Sequence, residues 1–581
     1  MESAKAMART PLFRWVNRLL RQAVQTQPEL MPSAENGICR REFLKRTAGA
    51  TLAVASFSLL DGNALAWSQN HSLQAASAEF KGKRPSIAIV GGGLGGLVTA
   101  YRFMQQGLAC DLYEGSQRAG GRVFTRSDFN SEGMFVELGG ELVDTGHTDL
   151  QALCRELHVP LEPFILQEPG LEPALFYSGG KIYTETQVAD AFQKLAQVLA
   201  DDLKRCFPDG NIQVPTYQEP AHAAWLDQIS LADYLASHQR KGLVQEWLVR
   251  LLRAAYTGEY GLEPEEQSAL NLVLLIGVDS RQGFKLFGES DEAMRVKGGN
   301  SRLVEALLRV LQPHVPIHYG HRLSRLSLRA EAPQLAGHDA HTPKTLHLGM
   351  KVGSHFRWIA APMAVLALPF SILRTVSGVD AIGLSAVKLR CIREWGYGTN
   401  SKQMIGFRSR FWRKSALTSD LSGSSTAHIP AFSGELITDL PAQCYWDTSR
   451  LQPGHSGILT NFTGGHAGKI AGSDQWRQVF AELKPLFGDL TDAHDGNQTC
   501  FNWSKHRWVQ GSYSCPRPGQ YTSLLGSAHL PELQGKLFFA GEHCSLNFSG
   551  FMNGAVESGN TAALQIMRQL SQSAQAAVNL V

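Results

Sequence analysis

The chain has 581 residues, too many for one simple core, so two closely packed domains are expected. Hydrophobic residues make up 43% and charged residues 18%, which excludes a disordered chain, and no 20-residue apolar run, fixed-period repeat or zinc-type Cys/His spacing occurs. The formal net charge of +3 is concentrated at the front, where residues 1–46 carry nine Lys/Arg against four acids, and the near-neutral remainder has no basic stripe for nucleic acid.

At that front end Arg40 and Arg41 precede Phe43, Leu44 and Lys45, then a mildly apolar stretch from Ala48 to Leu60, then the small-residue site Ala64-Leu65-Ala66. The apolar stretch is too short to span a bilayer. The pattern is that of a twin-arginine export signal over residues 1–66, cleaved after Ala66, with a polar linker at 67–84. It implies the twin-arginine machinery as a partner and a periplasmic or secreted destination, with folding before export. A basic amphipathic helix carrying two chance arginines is the alternative. Eight of the nine cysteines lie beyond this segment with no framework spacing, so no specific disulfide is expected.

The next segment, "PSIAIVGGGLGGLVTAYRFMQQGLACDLYEGSQRAGGR", is the most informative. A short apolar strand, Ile87 to Val90, runs into Gly91-x-Gly93-x-x-Gly96, after which Leu97, Ala100, Tyr101 and Met104 recur at helical spacing. A second strand, Ala109 to Tyr113, ends at Glu114. The first two glycines permit a tight turn and close approach to a pyrophosphate, and the third lets helix pack on strand. The helix N-terminus, with Leu94 and Gly95, offers amide hydrogens to the phosphates, and Glu114 can accept from a ribose hydroxyl. An acid at that position disfavours a 2′-phosphate. The second glycine pair with an arginine, Gly120-Gly121-Arg122, suits a longer cofactor lying across the domain, which favours FAD.

Further on, "VELGGELVDTGH" places Glu141 and Asp144 just after the pair Gly139-Gly140. Paired glycines mark something large against the backbone; the acids are open to two readings, cation recognition or capping of a helix from His147 by Asp144 or Thr145. Residues 186–205 are patterned as a helix, 296–311 as glycines opening another, and Leu537 to Ala540 as a strand ending at Gly541-Glu542 before a helix near Gly554.

With "VLALP" (365–369), "YGTNSKQMIGFRSRFW" (397–412), "WVQGSYSCPRPGQ" (508–520) and "LFFAGEHCSLNFSGFMNGAVESGNTAA" (537–563), the chain resembles the flavin-containing amine oxidases over residues 86–570. That family includes monoamine, polyamine and L-amino-acid oxidases. The resemblance implies an α/β fold: a Rossmann-like FAD-binding domain with an interleaved α+β substrate domain, as in the glutathione-reductase-like type. The expected FAD-binding pieces are 85–150, 296–385 and 501–581, and the substrate-domain pieces are 151–295, largely helical, and 386–500, built of strands.

The same resemblance carries the expected site. Gly139 and Gly140 pass beneath the flavin; Gly541, Glu542 and Met552 lie along the cofactor, with a helix N-terminus toward the flavin carbonyl side. Lys402 holds a water at flavin N5, and burial there would dispose its ammonium to lose a proton. Tyr513 and Phe551 flank the substrate amine. Ser512 stands where covalent-flavin members have cysteine, so FAD is expected to be non-covalent, Cys515 being the one thiol nearby. Glu141 and Asp144 fall at the cavity mouth, where related enzymes meet a substrate ammonium. Leu142 replaces the arginine that clamps a carboxylate in α-amino-acid oxidases, leaving Arg517 as the alternative clamp. The expected activity is oxidative deamination of a cationic amine or basic L-amino acid, with water and O2 consumed and H2O2 and ammonia released. A same-fold dehydrogenase and a non-catalytic flavin-binding protein are the alternatives. No metal site and no stable membrane span are expected, and a homodimer is left open.

Overall fold

In the computed structural model, residues 86–164, 168–274, 292–330, 344–419 and 426–578 are described. The export-signal and linker segments expected at 1–84 lie outside them.

Strand β1 (Ile87–Val90) is buried throughout and leads into helix α1 (Leu94–Gln105), then β2 (Cys110–Tyr113). A two-residue antiparallel ladder follows, β3 (Thr125–Arg126) with β4 (Val136–Glu137), and then α2 (Thr148–Glu156). Strands β5 (Leu175–Ser178) and β6 (Lys181–Tyr183) precede α3 (Glu185–Cys206). That helix opens on a capping box in which Thr184 and Gln187 satisfy each other's backbone amides. Helix α4 (Glu246–Tyr260) closes on Gly261 in the left-handed region, and α5 (Ser301–Leu311) follows the Gly298-Gly299 turn. After β7 (Ile317–His318) and β8 (Ala364–Leu366) comes helix α6 (Ala386–Glu394), where strands were expected. Ser385 caps α6, and the buried Lys388 on it donates to the carbonyls of Ala528 and Leu530, which anchors the helix. Strands β9 (Ser401–Phe407), β10 (Leu436–Thr438), β11 (Cys444–Asp447), β12 (Gly457–Thr463) and β13 (His494–Asn502) come next, then β14 (Leu537–Phe539) and helix α7 (Met552–Val578).

Two sheets organise these elements. The first runs β14-β8-β1-β2-β7, all parallel, with Ile89 opposite both Val365 and Leu112. Strands β1, β8 and β14, fully buried, read as continuous apolar runs, whereas at the other edge Asp111 of β2 bonds His318 of β7. Helices α1 and α7 pack on it through Val98, Val556, Ala563 and Ile566. The second sheet runs β13-β9-β12-β11-β10-β5-β6, antiparallel except for the parallel pair β10–β5. A Rossmann-like sheet beside a mixed α+β unit is the expected fold class, and the two units meet over one cavity. No helix among the described residues is long and apolar enough to cross a membrane.

Candidate active site

The cavity, about 400 Å³, begins where β1 and β2 end and reaches Lys402 and Trp446 in the second sheet. At its first end Gly91 has φ +110°, and a side chain there would meet the Ala367 carbonyl. Gly93 faces only Gly121, so the floor between the two glycine turns is open. Helix α1 starts at Leu94 with no side-chain cap and no acid in its first turn, leaving its first amides to a ligand anion. Glu114 accepts from the amides of Gly92 and Ser116, each at 2.7 Å, which fixes its carboxylate beside the turn. Arg118 donates to the carbonyls of Ala119, Gly121 and Val123 and sets the second turn. An open glycine floor, an uncapped helix start and a fixed acid at the strand end suit a dinucleotide such as FAD, and Leu94, Gly95, Arg122 and Met552 also line this space.

The pair Gly139-Gly140 lines the cavity, but the neighbours that forbid side chains there belong to the protein. A Cβ on Gly139 would fall 1.8 Å from the Arg122 carbonyl, and one on Gly140 would fall 2.9 Å from Met552 Cγ. Arg122 donates through Nη1 to Glu542 Oε1 and to the Ser512 carbonyl, both at 2.8 Å. Glu542 also accepts from Gly550 N at 2.6 Å and Ser514 N at 3.4 Å. Burial opposes its charge, yet Arg122, His543 and these donors outweigh burial and hold the carboxyl below its usual range. Glu542 is therefore a strut joining three cavity walls. The helix expected from Gly554 begins two residues earlier, at Met552, and has no acid in its first turn.

At the far end, strand alternation places Lys402 and Met404 on one face of β9. Met404 packs with Val136 and Leu138, so Lys402 meets the segment just beyond them. Its Nζ lies 2.7 Å from Glu141 Oε2, with both side chains less than a tenth exposed. Trp446 Nε1 donates to Glu141 Oε1 at 3.2 Å, and Lys402 Nζ stands 5.3 Å from the Trp446 ring centre. The lysine is thus half of a buried ion pair, and Glu141 holds a cation of the protein's own; the reading of Glu141 as a carboxylate waiting for substrate is corrected.

Asp144 lines the cavity at 1% exposure. Its Oδ1 accepts from Glu292 N at 2.8 Å, its own amide donates to His147 Nδ1 at 2.9 Å, and Oδ2 stands 3.4 Å from His147 Nε2. Burial pushes the His147 imidazole down to about 3, so the ring is neutral. Helix α2 begins at Thr148 with His147 as its N-cap and no side-chain cap bond, so neither Asp144 nor Thr145 caps it.

Tyr513 and Phe551 both line this end. The Tyr513 hydroxyl donates to the Glu259 carbonyl at 2.6 Å, and Phe551 meets the His147 ring edge-on at 5.0 Å. Ser512 Oγ donates to Asn400 Oδ1 at 2.6 Å, and both residues line the cavity. Cys515 is fully buried in the core and does not line it. Arg517 is also outside the lining: half-exposed, it pairs with Glu266 at 3.1 Å, which removes it as a carboxylate clamp. The sequence reading missed Trp446, Phe462, Asn400 and Glu292. Strands β11 and β12 are buried at every position, so nothing local to them marked the face that meets the cavity, which distant pairing decided.

Residues 94–567 match the family described as "Flavin containing amine oxidoreductase". Among sequence relatives, YobN of Bacillus subtilis (strain 168), provisionally named an L-amino-acid oxidase, is 27% identical over 502 residues, 83% of this chain and 94% of its own. The flavin-dependent L-tryptophan oxidase RebO of Lentzea aerocolonigenes is 25% identical over 515 residues, 83% of this chain and 97% of its own. In fold the chain is similar to cyclohexylamine oxidase from Brevibacterium oxydans IH-35A, with TM-score 0.64 and 20% identity over 84% of this chain and 99% of that one.

Proposed function

The chain belongs to the flavin-containing amine oxidoreductases, and from that premise we propose that it is an oxidase that deaminates a cationic amine or basic L-amino acid with non-covalent FAD. The observation that carries this reading is the buried Lys402–Glu141 pair facing an aromatic chamber at the end of the dinucleotide cradle. Bound FAD would supply the two-electron acceptor, and O2 the terminal one. Per turnover the substrate loses two electrons and two protons from its C–N unit; water hydrolyses the imine, and ammonia, a carbonyl compound and H2O2 leave.

The residues of this chain bind, orient and exclude water. Tyr513, with its hydroxyl tied to the Glu259 carbonyl, and Phe551, braced by His147, wall the amine. Trp446 and Phe462 close the apolar side. Lys402, whose Nζ is oriented by Glu141, would hold a water at flavin N5. Asp144, Glu292 and Glu141 stand against one lysine among the described residues at this end, a balance that favours a cationic substrate. The arginines of the lining, Arg118, Arg122 and Arg322, stand at the cofactor end, so of the two cationic substrate classes, both retained in the test, the amines are favoured over the basic amino acids. Ser512 at the linkage position supports non-covalent FAD. The twin-arginine pattern at Arg40-Arg41 supports export to the periplasm or beyond.

An anaerobic screen tests the substrate class by loss of oxidised-flavin absorbance. Diamines, polyamines, arginine and lysine are expected to bleach the flavin and then to yield peroxide in air. Bleaching by neutral α-amino acids alone would overturn it.

A further inference from the structure

Behind the Lys402–Glu141 pair lies a second buried carboxylate, Glu137, 3% exposed and directly opposite Thr125 in the β3–β4 ladder. Thr125 Oγ1 lies 3.0 Å from both Glu137 oxygens, and Asn300 N donates to Glu137 Oε1 at 2.6 Å. Thr125 and Ser301 exchange hydrogen bonds, each backbone amide donating to the other's hydroxyl at 2.9 Å. The start of α5 is thereby bolted to the ladder. Gly299 permits the approach: its φ is +98°, and a Cβ there would lie 2.4 Å from Thr125 Cγ2.

Asn300 occupies the N-cap position of α5 but makes no side-chain cap bond. Its Nδ2 instead donates to the carbonyls of Gly140 at 2.8 Å and Glu141 at 3.0 Å. Both neighbours are acceptors, so the amide nitrogen must face them. Two adjacent carbonyls held by one rigid amide fix the backbone from which the Glu141 side chain reaches Lys402. We infer that Asn300, anchored by Glu137, is a positioning residue that sets the Glu141–Lys402 pair against the cofactor. Burial, and the nearby Glu141, lift the Glu137 carboxyl to about 7 despite the Asn300 backbone amide, Thr125 and Lys402, so near neutral pH the anchor is partly protonated beside the pair.

This role rests on the amine-oxidising reading for its kinetic arm only. The test is a double-mutant cycle on the FAD-loaded enzyme with Asn300→Ala, Lys402→Met and the combination. Two readouts are taken: the visible absorption and circular dichroism of the bound flavin without substrate, and the anaerobic reduction rate with the best amine. Asn300→Ala should keep its flavin, shift the spectrum and slow reduction by about tenfold, yet add less than about twofold in the Lys402→Met background. Equal factors in both backgrounds, or an unchanged spectrum, would overturn the role. If no amine reduces the enzyme, non-additive spectra still uphold the clamp while the amine reading fails. If Asn300→Ala does not fold, Glu137→Gln and Glu137→Leu replace it. Glu137→Gln retains an acceptor for the Asn300 amide and should match the parent, Glu137→Leu should not, and equal losses in the two overturn the role.

Discussion

Lys402 and Glu141, 261 residues apart in the chain, meet at 2.7 Å inside the protein, the lysine on the second sheet and the glutamate on the segment beneath the cofactor cradle. The bond ties the two units together at the point where chemistry is expected. It also converts two residues that look like independent ligands into one neutral unit.

The pair predicts a stability cycle. Removing one member of a buried ion pair leaves an uncompensated charge and typically costs about 3–5 kcal/mol. Lys402→Met and Glu141→Gln should each destabilise by that order, and the double variant by less than their sum. Denaturant unfolding of the four proteins checks it; strict additivity would show that the two charges do not interact.

Substrate charge selection is predicted at Asp144 and Glu292. Asp144→Asn preserves an acceptor for Glu292 N, so folding and flavin binding should survive. Losing a charge partner in a desolvated site typically costs about 2–5 kcal/mol. Efficiency toward a diamine should fall steeply in Asp144→Asn and in Glu292→Gln, with little loss toward a neutral amine of similar length. A uniform fall toward both substrates would remove these acids from selection.

Acid stability should report His147. Burial depresses its imidazole from 6.5 to about 3, so the unfolded chain takes up a proton that the folded one refuses. Its contribution is complete above pH 6.5 and drains away as the pH falls toward 3, at about 1.4 kcal/mol per pH unit. His147→Phe suits the surrounding Phe548 and Phe551 rings. That variant should be less stable at neutral pH, because the Asp144 amide loses its acceptor, but should lose stability less steeply between pH 6 and 4. Unfolding free energies across that range decide it, and an unchanged slope would contradict the assignment.

Flavin attachment is checked by acid precipitation. With Ser512 bound to Asn400 and Cys515 buried away from the cavity, all the yellow colour should appear in the supernatant. Colour held in the pellet would mean a covalent link.

What the sequence determined by itself was local or carried by contiguous motifs. The strand, glycine turn and helix from Ile87 to Gln105, with Glu114 at the next strand's end, lie within thirty residues, where hydrophobic period and turn chemistry act on neighbours. Helix α3 emerged within a residue of its predicted bounds because its cap is written beside it, as Thr184 and Gln187. Tertiary structure alone decided which charges meet and which faces line the cavity. Glu141 found Lys402, Arg517 turned outward to Glu266, Trp446 came to the wall, and Asn300 left its helix cap for two distant carbonyls. Helix 386–394 has its cap, Ser385, written beside it, but its place was decided by the partners that Ser385 and Lys388 found in residues 528–532. The physical reason is common to all of these. A strand's alternation marks two faces, but strand pairing and packing across hundreds of residues choose which face is buried against which partner.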